Sequence, residues 1–405
     1  MPVLLRGIIL AGALLTPLTT CAILRAEGVR VGSAAVLPFT NLSPASTAPA
    51  PSSDWIAVSI AESVREALTA EGLGVASRAD VLQAYTDLHL RPGAELTRAS
   101  ILKLGQVLSV ENLIYGTFRA EQSGLLSIEV SMTDRLRSRM IGQLQENGTI
   151  TEIDRMEGRL ALQVIRMVMP AVALPESDAQ TLRPPVRAAA EESFIRGLLA
   201  TTPDLKERLY QQAVRTDARF ARPILELGKI DLARKNYKGA AIWFAKIEAT
   251  DLHYAEATFF FGVAKFYDGD FVAAQAAFDR ITKSLPTVEV FNNLGVAESR
   301  LNLAHAIVSF RTTIDLDPSN PDYQFNLGYA LLKNGQFDAA ADRFRAVLAR
   351  NPGDQMATLL LGRSIKREAL RTPNPADARF ETAERFKDTY ELLLPRPAVI
   401  AGENK

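Results

Sequence analysis

The sequence predicts a two-part fold, in which an α/β (α+β) amino-terminal domain is followed by an all-α solenoid of helical hairpins. Short apolar strands alternate with amphipathic helices over residues 33–168. Beyond them, a glycine that follows a large apolar residue recurs at steps of 34, 33, 33 and 34 residues between Gly228 and Gly362. Residues 170–187 contain several prolines among polar residues, which is typical of a linker between two folded parts.

Composition argues against several classes of function. The chain has 405 residues, of which 47% are hydrophobic, enough for two or three domains with packed cores. Lys+Arg and Asp+Glu both number 46, so no net charge attracts nucleic acid. The one cysteine, Cys21, excludes an intramolecular disulfide and a cysteine-based zinc site. We expect no metal, no cofactor and no nucleic-acid partner, and we interpret the three separated histidines as packing or surface residues: His89, His253 and His305.

The first 26 residues have the layout of a bacterial secretory signal peptide. Arg6 precedes an apolar run at residues 8–15, and small residues follow that run. The run is shorter than the ~20 residues that a membrane-spanning helix needs. We therefore expect cleavage after Ala22 or Ala26 and a periplasmic location in the cell envelope.

A second interpretation of the leader is a lipid anchor. Leu18-Thr19-Thr20-Cys21 resembles the signal at which a bacterial lipoprotein is acylated on its cysteine. Thr20 departs from that pattern, because the residue before the cysteine is normally Gly, Ala or Ser. The alternative localisation is thus a membrane-anchored lipoprotein tethered through Cys21.

Nine elements are predicted in the order β-α-β-α-α-β-β-β-α for the first domain. Pro38 ends the first apolar strand, and alternating apolar residues from Leu126 to Met132 indicate a half-buried strand. Thr151 and Asp154 have the spacing of a capping box at the start of the last helix. The predicted elements lie at residues 34–39, 54–71, 73–76, 79–88, 97–108, 112–120, 126–132, 140–150 and 151–168.

The apolar blocks of this domain also resemble a known family. The runs AAVLPFTNLS (34–43), VASRADVL (75–82) and ILKLGQVLSVENLIYGTFRAEQSGLLSIEVSMTD (101–134) are similar to the α/β domain at the amino terminus of TolB. The resemblance covers about residues 33–168, with a Pro/Ala/Ser-rich insertion at 44–52. It implies an interaction and assembly module at residues 30–170 and carries no catalytic residue over.

The second half repeats one pattern of small, aromatic and proline residues. In each unit the glycine of the first helix is followed by an Ala-x3-Phe pattern in the second helix, and in three units by a proline. The alanine–phenylalanine pairs are Ala240/Phe244, Ala274/Phe278, Ala306/Phe310 and Ala340/Phe344, and the prolines are Pro286, Pro318 and Pro352. A period near 34 with these residues in phase identifies a tetratricopeptide repeat (TPR) array.

Each repeated residue has a physical role in that array. The glycine lets the second helix cross the first closely, the phenylalanine is expected to fill the space between adjacent hairpins, and the proline ends the second helix. We predict a TPR superhelix over 188–393 with five to six hairpins, preceded by a linker at 171–187 and followed by a tail at 394–405. The first hairpin is degenerate, with Gly197 and Tyr210 in a shortened frame, and the last is completed by a capping helix over 376–393.

The TPR resemblance implies that first-helix side chains line a concave groove for a peptide or a helix. Mapped onto this chain, the groove residues are Phe259, Val263, Phe266, Tyr267, Asn292, Val296, Phe325 and Tyr329. The alternative is that these side chains pack between repeats. The ninth position of each repeat has no asparagine, which argues against the TPR subclass that clamps a terminal carboxylate: Lys229, Val263, Val296, Tyr329 and Arg363.

No phosphate-binding loop, dinucleotide fingerprint, nucleophile elbow or zinc-protease motif occurs in the sequence. Ser100 and Lys103 match a serine–lysine pair by chance, without its partner motifs, and Glu191 with Glu192 is interpreted as a solvated helix start. The main hypothesis is a non-enzymatic scaffold of the bacterial cell envelope that binds other proteins and no small-molecule substrate. The alternatives are a lipid-tethered assembly factor and an enzyme with an unrecognised site in the α/β domain.

Overall fold

The computed structural model describes residues 33–43, 53–170 and 185–370. All of them fall within one compact unit of the chain, Gly32–Lys405. The predicted leader with Cys21, most of the predicted linker, the predicted capping helix at 376–393 and the tail lie outside the described residues.

The amino-terminal domain has the predicted elements in the predicted order, with one addition. The strands are β1 (Ser33–Val36), β2 (Thr40–Asn41), β3 (Gly74–Val75), β4 (Asn112–Ala120), β5 (Leu125–Asp134) and β6 (Arg139–Thr149). The helices are α1 (Asp54–Ala70), α2 (Arg78–Asp87), α3 (Arg98–Val107) and α4 (Ile153–Val168). The addition is β2, whose two residues are too few to give a periodic signal.

The predicted capping box at the start of α4 is wrong. Residues Ile150–Glu152 form a 3-10 turn, and α4 begins at Ile153 with no side-chain cap on its first turn. The Thr149 hydroxyl instead donates to Glu152 at 2.8 Å.

The strands form one mixed sheet in the order β3-β1-β4-β5-β6, with β2 added beside β4. β1 pairs in parallel with β3 and with β4, whereas β4, β5 and β6 form an antiparallel meander. Helices α1 and α4 belong to the core on one face of the sheet. Helices α2 and α3 belong to a separate core on the other face. Because both faces of β1 are covered, its sequence is a continuous apolar run.

Helical hairpins make up the rest of the described chain. They are α5 (Ala188–Leu199) with α6 (Pro203–Thr216), α7 (Ala221–Ala233) with α8 (Tyr237–Phe244), α9 (Tyr254–Tyr267) with α10 (Phe271–Ile281), α11 (Val288–Arg300) with α12 (Ala306–Leu316), and α13 (Pro321–Lys333) with α14 (Phe337–Arg350). A further first helix, α15 (Gln355–Ile365), follows them. The predicted fold class, an α/β domain followed by an all-α solenoid, is confirmed.

The repeated glycine and phenylalanine meet within one hairpin. A Cβ atom added to Gly262 would lie 2.8 Å from the ring of Phe278, which is fully buried. At Gly228 the same atom would lie 2.4 Å from the ring of Phe244. The phenylalanine ring therefore lies over the glycine of its own hairpin, and the expected contact between adjacent hairpins is seen at Phe244, whose ring stacks on Phe260 of the next hairpin with 5.6 Å between centroids.

The two halves share a core. Ala190 and Phe194 of α5, with Tyr210 of α6, belong to the same apolar cluster as Ile56 and Ile60 of α1. The Pro-rich composition of residues 170–187 permits either loosely joined or docked domains. The continuous core shows that the first hairpin is packed onto the α/β domain.

Candidate functional site

Seven of the eight predicted groove side chains are buried in the structure. Their exposed fractions are Phe259 0%, Val263 3%, Phe266 5%, Asn292 1%, Val296 0%, Phe325 0% and Tyr329 3%. Tyr267 alone in this set is substantially exposed, at 43%. The predicted groove is therefore not an open surface in this structure, and binding by its residues stays a prediction.

Contacts between helices account for this burial. The Phe259 ring lies edge-on to Phe278 of its partner helix, with 5.7 Å between centroids. The Asn326 side chain donates a hydrogen bond to the Asn292 Oδ1 atom at 2.8 Å, which joins the first helices of two successive repeats. Since first helices touch both their own second helix and their neighbours, a side chain at a groove position also serves packing.

An exposed row of side chains recurs at the end of the first helices, and we call it the rim row. It consists of Tyr267, Arg300 and Lys333, which are the last residues of α9, α11 and α13, and Lys366, which directly follows α15. The Lys333 Nζ atom donates to the Ser299 carbonyl of the preceding repeat at 3.0 Å. Along the array, one aromatic side chain is thus followed by a cation in each of the next three repeats. Cations at this position also interact favourably with the helix carboxyl terminus.

A buried charge cluster lies between the two halves of the molecule, and we call it the seam cluster. Arg222 of α7 places Nε 2.8 Å from Glu66 of α1 and an Nη atom 3.5 Å from Glu191 of α5. The Ser59 hydroxyl donates to Glu191 at 3.2 Å. The Arg222 guanidinium also lies 4.5 Å from the ring centroid of Phe194.

The seam cluster corrects the interpretation of Glu191 as a solvated residue. Its side chain is 0% exposed, whereas the adjacent Glu192 remains partly exposed and pairs with Arg196 on the same helix. The helix face that carries Glu191 is the one that packs against α1. A carboxylate in the first turn of a helix gives no sequence signal for that burial, because the helix dipole favours an acid there in either case.

Beside the seam cluster lies a cavity of about 780 Å³ with walls from both halves. Glu66 and Arg222 reach it from the seam, and Asp251 and His253 line it from the loop before α9. The His253 Nδ1 atom lies 3.0 Å from Asp251 Oδ1. Acidic and basic side chains both line the walls in similar numbers, so their charges largely compensate one another.

The His253–Asp251 pair predicts a pH-dependent contribution to stability. Burial lowers the pKa of His253, but the hydrogen bond to Asp251 and the nearby carboxylates together raise this pKa by a larger amount. The pKa of His253 therefore lies above the ordinary 6.5. A pKa that is raised on folding gives stability that is complete below the unfolded pKa and is lost as pH rises through the folded pKa. We expect His253→Gln to lower the free energy of unfolding more at pH 5.5 than at pH 9, measured by urea titration. An equal loss at both values would contradict the charged pair.

Among the residues that the structure describes, no helix is long and apolar enough to cross a membrane. No group of three or more metal-ligating side chains occurs among the described residues.

The comparisons with known proteins bear on the repeats. Residues 302–354 and 325–390 match a family model for the tetratricopeptide repeat. The search of curated proteins gave no match. Among solved structures, the chain is similar to YrrB, described as a TPR protein with an unusual peptide-binding site, at 16% identity over 42% of this chain and 90% of that chain, with a TM-score of 0.39.

The chain is also similar to two other solved structures. A crystal structure of MamA is 24% identical over 37% of this chain and 88% of that chain, with a TM-score of 0.35. The LpoB carboxy-terminal domain from Salmonella enterica is 17% identical over 30% of this chain and 87% of that chain, with a TM-score of 0.24. Similarities of this size carry no argument about function. From the family match and the in-register hairpins, the carboxy-terminal part of this chain is a helical solenoid that contains tetratricopeptide repeats.

Proposed function

We propose that this protein is a non-enzymatic adaptor of the bacterial cell envelope, which holds a segment of another protein on its repeat array. The observation that carries the proposal is the set of in-register hairpins, which present Tyr267, Arg300 and Lys333 five residues after the repeat glycine, with Lys366 four residues after Gly362. The seam cluster supports a role as a single rigid adaptor, because it joins the array to the α/β domain through buried contacts.

The rim row defines the chemistry of the partner. Tyr267 offers an exposed aromatic face, stacked on Tyr237 with 5.3 Å between ring centroids. Arg300, Lys333 and Lys366 offer positive charges one repeat apart. An extended or helical segment with an apolar anchor and several carboxylates would complement this row.

Charge reversal on the rim row tests this proposal. We expect the triple variant Arg300→Glu, Lys333→Glu, Lys366→Glu to reduce capture of the partner from an envelope extract by roughly tenfold or more, because interfacial ion pairs become repulsive. The captured proteins would be quantified by mass spectrometry with full-length tagged chains.

The matched control reverses three exposed cations elsewhere on the hairpins. Lys238, Lys283 and Arg350 lie on or just after second helices. Their triple reversal changes net charge by the same amount and should leave capture unchanged. If the rim variant and the control variant capture the same proteins in the same amounts, the rim row does not bind the partner.

Export is the second part of the proposal, and it is supported by the leader pattern alone. The test is the mass and amino terminus of the chain isolated from the envelope fraction of its own cells. A start at Ile23 or Glu27 would indicate a soluble exported adaptor. An acylated Cys21 would favour the alternative, a lipid-tethered assembly factor, and an uncut Met1 would contradict export.

Buried polar side chains converge on α1, which is the feature that an unrecognised enzyme site would show. The Ser63 hydroxyl donates to Glu157 at 2.6 Å, and these two side chains are 3% and 0% exposed. Their burial denies a substrate access to either group. The arrangement instead favours a structural role in joining α1 to α4.

A further inference from the structure

A second cavity, of about 360 Å³, shares no lining residue with the rim row or with the cavity beside the seam cluster. Val36 and Phe39 line it where the chain leaves β1, and Ala76 lines it where the chain leaves β3. From β1 the chain continues into α1 on one face of the sheet, and from β3 into α2 on the other face. Adjacent parallel strands whose connections leave to opposite faces open a crevice at their carboxyl ends, where α/β proteins bind ligands.

The walls of this cavity are mainly apolar. Val58 and Ala61 contribute from α1, and Val81 and Leu82 contribute from α2. Leu199, the last residue of α5, closes one side, so the cavity is complete only when the first hairpin is docked on the α/β domain. Its volume lies within the range of roughly 300–1,000 Å³ that small-molecule pockets have.

One positive charge at the cavity is available to a ligand. Glu62 and Arg65 both line the cavity and pair with each other at 2.8 Å. Asp54 also lines the cavity, and it already has an interaction partner in the protein. The Arg78 guanidinium also lines the cavity, and within the described part of the chain it makes no hydrogen bond or ion pair.

We propose that this cavity binds a small molecule with an apolar body and a single carboxylate. The apolar body lies between α1 and α2, and the carboxylate accepts hydrogen bonds from Arg78, whose planar guanidinium suits a carboxylate. The ligand is bound and not converted, and its site is separate from the proposed partner surface.

Isothermal titration of the full-length chain with decanoate and with decanol tests the inference. The two probes have the same apolar chain and differ in the carboxylate. We expect decanoate to bind about tenfold more tightly than decanol, since a hydrogen bond to a charged group has about that effect. Arg78→Ala should abolish this difference and leave the affinity for decanol unchanged.

Two further variants locate the binding. Arg139→Ala removes an exposed arginine from β6, at the edge of the sheet opposite β3 and outside the cavity lining, and should leave both affinities as in the wild type. Ala61→Leu places a larger side chain in the cavity, and leucine is a good helix former, so α1 should be retained. This variant should weaken the binding of both probes roughly tenfold or more. Thermal unfolding of each variant confirms that the fold is retained.

Three results would overturn the inference. The first is that neither probe binds the wild-type chain. The second is that decanoate keeps its advantage in Arg78→Ala, and the third is that Ala61→Leu binds both probes as the wild type does. None of these results bears on partner capture by the rim row, so the two proposals fail independently.

Discussion

Replacement of Arg222 by alanine is expected to lower the free energy of unfolding by about 3–5 kcal/mol, the range for removing one partner from a buried ion pair. The substitution withdraws the positive charge that faces Glu66 and Glu191 and removes the guanidinium from the Phe194 ring. Because the cluster joins α1, α5 and α7, the loss should also loosen the packing between the two halves. Urea titration of the full-length chain, followed by tryptophan fluorescence and circular dichroism, measures the change.

Arg234, which directly follows α7, provides a matched control. It pairs with Glu207 at 2.7 Å, but its side chain is 48% exposed. Exposed ion pairs contribute about 0–1 kcal/mol, so Arg234→Ala should have a small effect. If the two alanine variants lose the same stability, the seam cluster does not hold the halves together.

Replacement of Phe278 by alanine should also cost about 3–5 kcal/mol, as is usual for a buried phenylalanine. Its ring is 0% exposed, lies above Gly262 and meets the ring of Phe259. Removal leaves a void within the hairpin of α9 and α10. Since each repeat contacts mainly its neighbours, hydrogen exchange should show the largest loss of protection in this hairpin and the adjacent ones.

Val272 on the same helix is the control for this prediction. Its side chain is 65% exposed. Val272→Ala should change the free energy of unfolding by no more than about 0.5 kcal/mol. A uniform loss of protection over the whole chain in Phe278→Ala would contradict the local role assigned to that ring.

The repeats could be predicted from sequence because each repeated position has one steric function. Gly262 must be small because the Phe278 ring covers it, and Pro286 follows where α10 has ended. The requirement for a small residue recurs at Gly228, Gly295 and Gly328, each covered by a phenylalanine ring, so the pattern does not depend on a single match. In the α/β domain, the period of two in β5 and the apolar run of β1 gave the strands for a similar reason.

The candidate sites could not be predicted in the same way, since they depend on which helix faces are covered. Helical periodicity places Phe259 and Tyr267 on one face of α9. It does not reveal that the Phe259 side chain is buried whereas the Tyr267 side chain is exposed. Glu191 and its partner Ser59 are 132 residues apart in sequence. Arg78 reaches the apolar cavity only because β1 and β3 are neighbours in the sheet.

Site-specific photocrosslinking inside cells tests most directly whether the array holds a partner at the rim row. A photoreactive phenylalanine analogue would replace Tyr267, which is 43% exposed, or Val308, which is 59% exposed on the second helix α12. We expect a discrete crosslinked product from position 267 and none from position 308. No product from position 267, or the same products from both positions, would contradict it.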